Sequence, residues 1–249
     1  MSALARLANW LRQADPDRFG ASLTAPQALR PKLWALYALN LEAARAPFAA
    51  REPMLAEMRL QYWLNQLAAL GEGRPADRHD MLDVLRDHWG RDAVALAGLV
   101  SAREWDCWPQ PFDGADELLA YIDATAGGVM RHAAGVLGAR GDEGVIADQA
   151  RGVGLANWLL AQPVLQGQGR GLRDAGPQAR ADLARRGLAA LDRATNARRE
   201  VPRKAAPALY GGVARRVLEA IFRDPEAAKL PSDAGRKLKL ALFSVTGRW

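Results

Sequence analysis

Residues 33–45 have the sequence LWALYALNLEAAR, in which apolar side chains recur at helical spacing and show none of the alternation typical of a strand. Pro47 ends this predicted helix, because proline lacks the N–H group that a helix interior needs. The next helix is predicted to begin at Pro53, since proline is favoured in a first turn, and to end at Leu70. Most candidate site residues of the chain lie on these two helices.

The same helical periodicity extends through the rest of the chain. Further helices are predicted, with Asp77 and Asp113 as caps of two of them, over Asp77–Trp89, Asp92–Arg103, Asp113–Leu137, Glu143–Leu165, Gln178–Arg199, Ala205–Arg223 and Asp233–Ser244. Strands do not alternate with these helices, which excludes dinucleotide-binding and P-loop architectures. The absence of a break in composition predicts a single all-α domain spanning residues 1–249.

The composition limits the chemistry and the location of the protein. A single cysteine, Cys107, excludes an intrachain disulfide and a zinc site built from cysteines. No run of apolar residues is long enough to span a membrane, and the amphipathic first helix does not resemble a signal peptide. We therefore expect a cytoplasmic protein.

Positive charge is concentrated in the C-terminal quarter of the sequence. From Arg185 onward there are 15 Lys or Arg and 6 Asp or Glu residues, whereas the whole chain has a net charge of +6. Such a basic quarter favours an acidic partner, which could be anionic lipid, nucleic acid or an acidic protein face, or it is simply a solvated surface. Aromatic residues interleave poorly with these arginines, so we expect no nucleic-acid partner.

Two patterns have both a chemical and a structural interpretation. Asp80, Asp83 and Asp87 share one helix face and could bind magnesium with a diphosphate, or they could form a solvated acidic face beside Arg86. The glycines in Gly152–Gly154 superficially resemble a phosphate loop. Since no strand precedes them, we expect close helix contacts at this pair instead.

Several segments together resemble the squalene/phytoene synthase family. Leu33–Arg45 is similar to the first signature helix of these enzymes, and Met58–Trp63, MRLQYW, resembles their next helix. Gly152–Leu160 is similar to the second signature helix. The resemblance covers about residues 16–245 and implies an isoprenoid-synthase-like helical bundle around a central cavity.

The chain departs from this family at its catalytic carboxylates. The resemblance implies two facing aspartate clusters that hold magnesium ions and ionise an allylic diphosphate. The first cluster falls near Arg45 and the second near Ala161, yet residues 43–51 and 149–173 contain no Asp or Glu. We therefore expect no catalytic residue, no metal site and no cofactor.

One subgroup of the family resembles the chain more closely in this respect. Asn40–Glu42 and Met58–Trp63 are similar to the mitochondrial complex I assembly factor 6 group, a synthase-like group without obvious synthase chemistry. This resemblance implies a pseudoenzyme that acts as an assembly or interaction factor, with complex I subunits as partners. It also implies a location peripheral to the inner membrane, with the basic quarter on anionic lipid.

The resemblance further implies a pocket that retains an isoprenoid or lipid chain. By motif position its lining would consist of Tyr37, Asn40, Glu42, Arg59, Tyr62, Trp63 and Asn157. The alternative is an active prenyltransferase that condenses isoprenoid diphosphates at a rearranged magnesium site. That enzyme would need Glu42 to converge with the acidic face at Asp80, Asp83 and Asp87.

Overall fold

A computed structural model describes residues 1–50, 52–139, 143–226 and 232–249. Its α-helices are α1 (Ala3–Ala14), α2 (Pro16–Ser22), α3 (Arg30–Arg45), α4 (Pro53–Gly71), α5 (Asp80–His88), α6 (Ala97–Ser101), α7 (Ala115–Ile122), α8 (Gly128–Val136), α9 (Glu143–Gly167), α10 (Pro177–Asn196), α11 (Ala214–Arg223) and α12 (Asp233–Thr246). The described residues form no β-strand, and an isolated bridge joins Phe112 to Leu172. The predicted all-α class is confirmed.

The chain divides into two compact units, Met1–Trp108 with α1–α6 and Pro109–Trp249 with α7–α12. The single domain expected for residues 1–249 stays a prediction. No helix in the described part of the chain is both long and apolar enough to cross a lipid bilayer.

Helix α3 forms the centre of the first unit because it is apolar around most of its circumference. Its interior side chains include Leu33, Leu36, Tyr37 and Leu39, which are all shielded from solvent. It packs against α1 and α5, and the indole N–H of Trp89 donates to the carbonyl of Lys32 at 2.9 Å. This packing holds α3 in the interior of the first unit, and the candidate site lies at its C-terminal end.

In the second unit the long helix α9 packs against α10 and α11. The glycines of α9 allow this close approach, because a Cβ atom at Gly152 would overlap Leu191 of α10. A Cβ atom at Gly154 would likewise come within 2.5 Å of Ile122. The expected role of this glycine pair in close helix contacts is confirmed.

Six of the predicted helices agree with α3, α4, α5, α9, α10 and α12 to within three residues at each end. The helix predicted over Asp92–Arg103 is wrong. A 3₁₀ segment, Gly90–Leu96, precedes the single-turn α6, and Gly90 adopts the left-handed conformation with φ +56°. This tighter path lets Val94 pack directly against Gly71 of α4.

Both predicted aspartate caps are also wrong, because other groups bind these side chains. The Asp77 carboxylate accepts from the Gln66 amide at 3.0 Å, and α5 is capped instead by His79. The Asp113 carboxylate accepts from the Arg173 guanidinium at 2.9 Å, and α7 begins after Gly114.

Two predicted helices are interrupted. A π-helical turn, Asp123–Gly127, separates α7 from α8. The segment predicted as one helix from Ala205 to Arg223 is divided into a 3₁₀ segment, Arg203–Leu209, and α11. Gly212 lies between them with φ +55°, a left-handed conformation that ends one helical path and redirects the chain.

Candidate functional site

A cleft of about 240 Å³ lies where the C-terminal end of α3 meets α4. We call it the Arg59 cleft, and it is lined by Glu42, Arg45, Ala46, Ala49, Arg59, Tyr62 and Trp63. The 3₁₀ turn Ala46–Phe48 closes one end of it, since Pro47 prevents α3 from continuing. Neither Glu42 nor Arg59 forms a side-chain hydrogen bond or ion pair with any described residue. The cleft therefore offers charges of both signs to a partner.

The aromatic wall of this cleft is built from α4. The rings of Tyr62 and Trp63 are 4.9 Å apart, and Trp63 in turn contacts His79 edge-on at 5.3 Å. His79 is fixed as the cap of α5, where its Nδ1 accepts from the backbone N–H of Met81 at 3.2 Å. Partial burial, together with the nearby Asp77 carboxylate, raises the pKa of Tyr62.

A second cleft, of about 320 Å³, lies beside the first in the same unit. This Arg6 cleft is lined by Arg6, Leu7, Trp10, Glu42, His79, Asp80 and Met81, and shares Glu42 with the Arg59 cleft. Arg6 donates two hydrogen bonds to the Asp80 carboxylate, at 2.6 and 2.5 Å. This pairing lowers the pKa of Asp80, which is thus ionised but already neutralised by its partner.

The acidic face of α5 does not assemble around Glu42 in the described residues. Asp83 and Asp87 pair with the exposed Arg86, at 2.9 and 3.1 Å, and only Asp80 lines a cleft with Glu42. The described residues contain no group of three or more His, Cys, Asp or Glu that could hold a metal ion.

The signature positions themselves provide no metal ligands. Near the first, Arg45 stacks its guanidinium on the Trp10 ring at 5.2 Å, and near the second the chain has Ala161. A divalent magnesium ion requires carboxylate or other oxygen ligands, which neither residue supplies. The residues at these positions therefore do not fit the magnesium cluster that the family resemblance implies.

Four of the seven predicted pocket residues come together in the Arg59 cleft: Glu42, Arg59, Tyr62 and Trp63. Tyr37 and Asn40 lie deeper in the first unit, with 1% and 8% of their surfaces exposed, and Asn157 is exposed on α9 of the second unit. A single cavity lined by all seven stays a prediction.

Arg6, Trp10 and Arg45 also line the two clefts, although no motif in the sequence marks them as site residues. Arg6 and its partner Asp80 are separated by 74 positions, so no local pattern indicates their pairing. The Arg45 contact with Trp10 is equally non-local. The one available signal was the amphipathic spacing of α1, which predicts a buried face but not what that face covers.

An exposed apolar face of α4 adjoins the Arg59 cleft. Met54, Leu55, Met58 and Tyr62 lie on one side of the helix and are exposed, as is Phe48 in the preceding turn. Tyr62 also lines the cleft, so the apolar face and the charged groups form one continuous surface. Contiguous exposed apolar side chains of this kind mark binding surfaces, and methionine adapts readily to a partner.

The all-α fold and the paired signature helices define the class of isoprenoid-synthase-like helical proteins. Within it, the chain belongs to the squalene/phytoene synthase family, whose sequence model matches residues 11–160, more than half of the chain. No curated protein sequence matches it significantly.

Two solved structures share this fold. One is the squalene synthase HpnC from Alicyclobacillus acidocaldarius, with 19% identity over 89% of this chain and 93% of that one and a TM-score of 0.72. The other is a dehydrosqualene synthase in complex with a ligand, with 14% identity over 98% and 95% of the two chains and a TM-score of 0.76. At these identities the likeness concerns the fold.

Proposed function

We propose that this protein is a non-catalytic member of the squalene/phytoene synthase family that acts as an assembly or interaction factor. The observation that carries the proposal is the absence of Asp and Glu from residues 43–51 and 149–173, where the family resemblance requires both metal-binding clusters. The resemblance of Asn40–Glu42 and Met58–Trp63 to the complex I assembly factor 6 group points to respiratory complex I subunits as partners at the inner membrane.

The chemistry of the synthases explains why these substitutions matter. Departure of an allylic diphosphate develops negative charge on the leaving group, and bound metal ions stabilise that charge by several kcal/mol. Glu42 is a single carboxylate without a described ion pair, and Arg6 already neutralises Asp80. One free carboxylate does not replace two facing clusters, so metal-assisted ionisation has no support among these residues.

Features of the first unit support an interaction role. The apolar face of α4 exposes Met54 and Met58 to solvent, although burying such side chains would be favourable. Glu42 and Arg59 beside it provide charges that form no ion pair with any described residue and that would fix the orientation of a partner. An isoprenoid or lipid chain stays a proposed second ligand, held in the cavity that the family resemblance implies.

A pull-down from detergent-solubilised membranes tests this proposal. The wild-type chain is expected to enrich complex I subunits, and Met58→Asp is expected to reduce that enrichment at least tenfold, because a buried carboxylate at the interface would lack a partner (roughly 2 kcal/mol or more). Arg59→Ala is expected to weaken binding by a smaller factor.

Val164→Asp is the matched control, since Val164 is also an exposed apolar residue but lies on α9 of the second unit. It is expected to retain wild-type enrichment. Failure of the wild-type chain to enrich complex I subunits, or equal losses in Met58→Asp and Val164→Asp, would contradict the proposed docking face.

The alternative of an active prenyltransferase rests on Glu42 and Asp80 lining the same cleft. Incubation with farnesyl or geranylgeranyl diphosphate and magnesium tests it directly. We expect no diphosphate release above the protein-free rate. Metal-dependent release that Glu42→Gln abolishes would overturn the non-catalytic proposal and establish a rearranged site.

A further inference from the structure

A strongly basic cleft of about 470 Å³ lies in the second unit. Four arginines line it, Arg198, Arg199, Arg203 and Arg248, and Trp249 completes one side. The segment that follows α10 contributes three of these arginines, and Arg248 lies just beyond the C-terminal end of α12. The cleft thus joins two parts of the basic C-terminal quarter.

These four guanidinium groups differ from those of Arg193 and Arg215 in the same basic quarter. Arg193 pairs with Asp148 at 2.6 Å and Arg215 pairs with Asp192 at 2.7 Å. In contrast, none of the four cleft arginines forms a side-chain hydrogen bond or ion pair with a residue in the described part of the chain. Several guanidinium groups around one cleft repel each other unless an anion compensates them, and they match phosphate oxygens in geometry.

Helix α12 leads into this cleft and exposes an apolar stripe. Leu238, Leu242 and Val245 are 61%, 54% and 87% exposed, and their spacing of four and three residues places them on one face. On the other side of the helix, Phe243 is buried against the ring of Tyr210 at 4.8 Å. The helix is therefore anchored to its unit by Phe243 while its second apolar face meets solvent.

Lysines flank the apolar stripe. Lys237 and Lys239 are exposed and lie on either side of Leu238, since successive residues in a helix are rotated by about 100°. Long lysine side chains in such positions can extend to a polar interface while the residues between them insert into an apolar layer. At the end of the stripe, Val245 directly precedes Thr246, which lines the arginine cleft.

We propose that α12 and the arginine cleft form a docking surface for an anionic phospholipid bilayer. In this arrangement α12 lies in the plane of the interface, with Leu238, Leu242 and Val245 at the boundary of the acyl chains. The cleft receives the phosphate of an anionic headgroup through charge-assisted hydrogen bonds. The proposal is independent of the identity of any protein partner.

The arginine cleft and the apolar stripe of α12 together favour an anionic membrane over other negatively charged partners. Free phosphate or an acidic protein face would use the arginines but leave the apolar stripe in water. A second copy of this chain would cover the stripe but bring four more arginines towards the first four. An anionic bilayer satisfies both features at once, because it presents phosphates directly above an apolar layer.

Co-sedimentation of the full chain with vesicles tests the proposal. Wild-type protein is expected to bind vesicles of phosphatidylcholine mixed with phosphatidylglycerol, and not phosphatidylcholine alone. The double variant Arg199→Gln/Arg203→Gln is expected to bind roughly 30-fold more weakly, since two cationic side chains near the surface are removed. Leu242→Ser/Val245→Ser, which leaves the charge unchanged, is expected to weaken binding at least about tenfold.

The control is Arg185→Gln/Arg186→Gln, which removes the same charge from exposed positions of α10 in the same basic quarter. It is expected to bind nearly as well as wild type, with unchanged melting temperatures for all three variants. If both double arginine variants weaken vesicle binding equally, the binding depends on the overall positive charge of the quarter and not on the cleft.

Three other outcomes would also overturn the proposal. The first is an absence of vesicle binding at low salt. The second is stabilisation of the protein by inorganic phosphate without vesicle binding, which would indicate a site for free phosphate. The third is a dimer in sedimentation analysis that Leu242→Ser/Val245→Ser dissociates, which would assign the stripe to a second copy of the chain. The complex I pull-down that tests the proposed function uses detergent extracts, so its result is independent of vesicle binding. The two proposals can therefore fail separately.

Discussion

Gly152→Ala is expected to lower the free energy of unfolding by about 1–3 kcal/mol, the usual cost of overpacking a helix contact. The new methyl group would overlap Leu191 and lie 3.0 Å from the carbonyl oxygen of Gly187. Leu191 is buried, and the contact atom of Gly187 belongs to the backbone of α10. Neither group can therefore move away without separating α9 from α10. Thermal denaturation should show a melting temperature reduced by about 2–4 °C for each kcal/mol lost.

Gly135→Ala is the matched control for this substitution. Gly135 is an exposed position of α8, and a Cβ atom there would meet no atom within 4 Å. Because alanine is favoured over glycine in a helix, this variant is expected to be up to about 1 kcal/mol more stable than wild type. Equal stabilities of the two variants would show that α9 and α10 are not in close contact at Gly152.

Tyr37→Phe is expected to remove a loss of stability that wild-type protein shows at alkaline pH. Burial raises the pKa of Tyr37 to about 12, although the Arg18 guanidinium, 5.2 Å from its ring, opposes this shift. The unfolded chain releases the phenol proton near pH 10, whereas the folded chain retains it until about pH 12. Stability from this group is therefore complete below pH 10 and falls as the pH rises between these values.

Urea denaturation of both proteins at a series of pH values measures this effect. By pH 11 the wild type should have lost about 1.4 kcal/mol relative to Tyr37→Phe, since one pH unit of differential proton binding corresponds to that energy. The absorbance of tyrosinate provides an independent reading of the same ionisation. If the stability of the two proteins changes with pH in parallel, this would contradict the burial of Tyr37.

The non-catalytic proposal and the membrane-docking proposal concern different parts of the chain. The first depends on residues 43–51, residues 149–173 and the exposed face of α4 in the first unit. The second depends on α12 and the four arginines of the second unit. Both proposals assign binding to exposed surfaces of the fold, the first to a protein partner and the second to a lipid bilayer.

Much of the helical framework could be predicted from the sequence, because its signals are local. Pro53 marks the start of α4, and Pro47 ends α3. The apolar spacing of residues 33–45 predicts that this segment is helical. The acid-free segments around Arg45 and Ala161 are likewise visible without coordinates. Four of the seven residues that line the Arg59 cleft could be predicted because they lie on two helices with recognisable motifs.

The remaining features depend on contacts between residues far apart in the chain. The local sequence predicts Asp77 and Asp113 as helix caps, but Gln66 and Arg173 bind their side chains instead. Asp80 belongs to an acidic helix face in the sequence, yet Arg6 neutralises it from 74 positions away. A side chain's neighbours, and therefore its charge balance and exposure, are set by packing that no local pattern encodes. For the same reason only the tertiary structure shows that α12 buries one apolar face and leaves another in solvent.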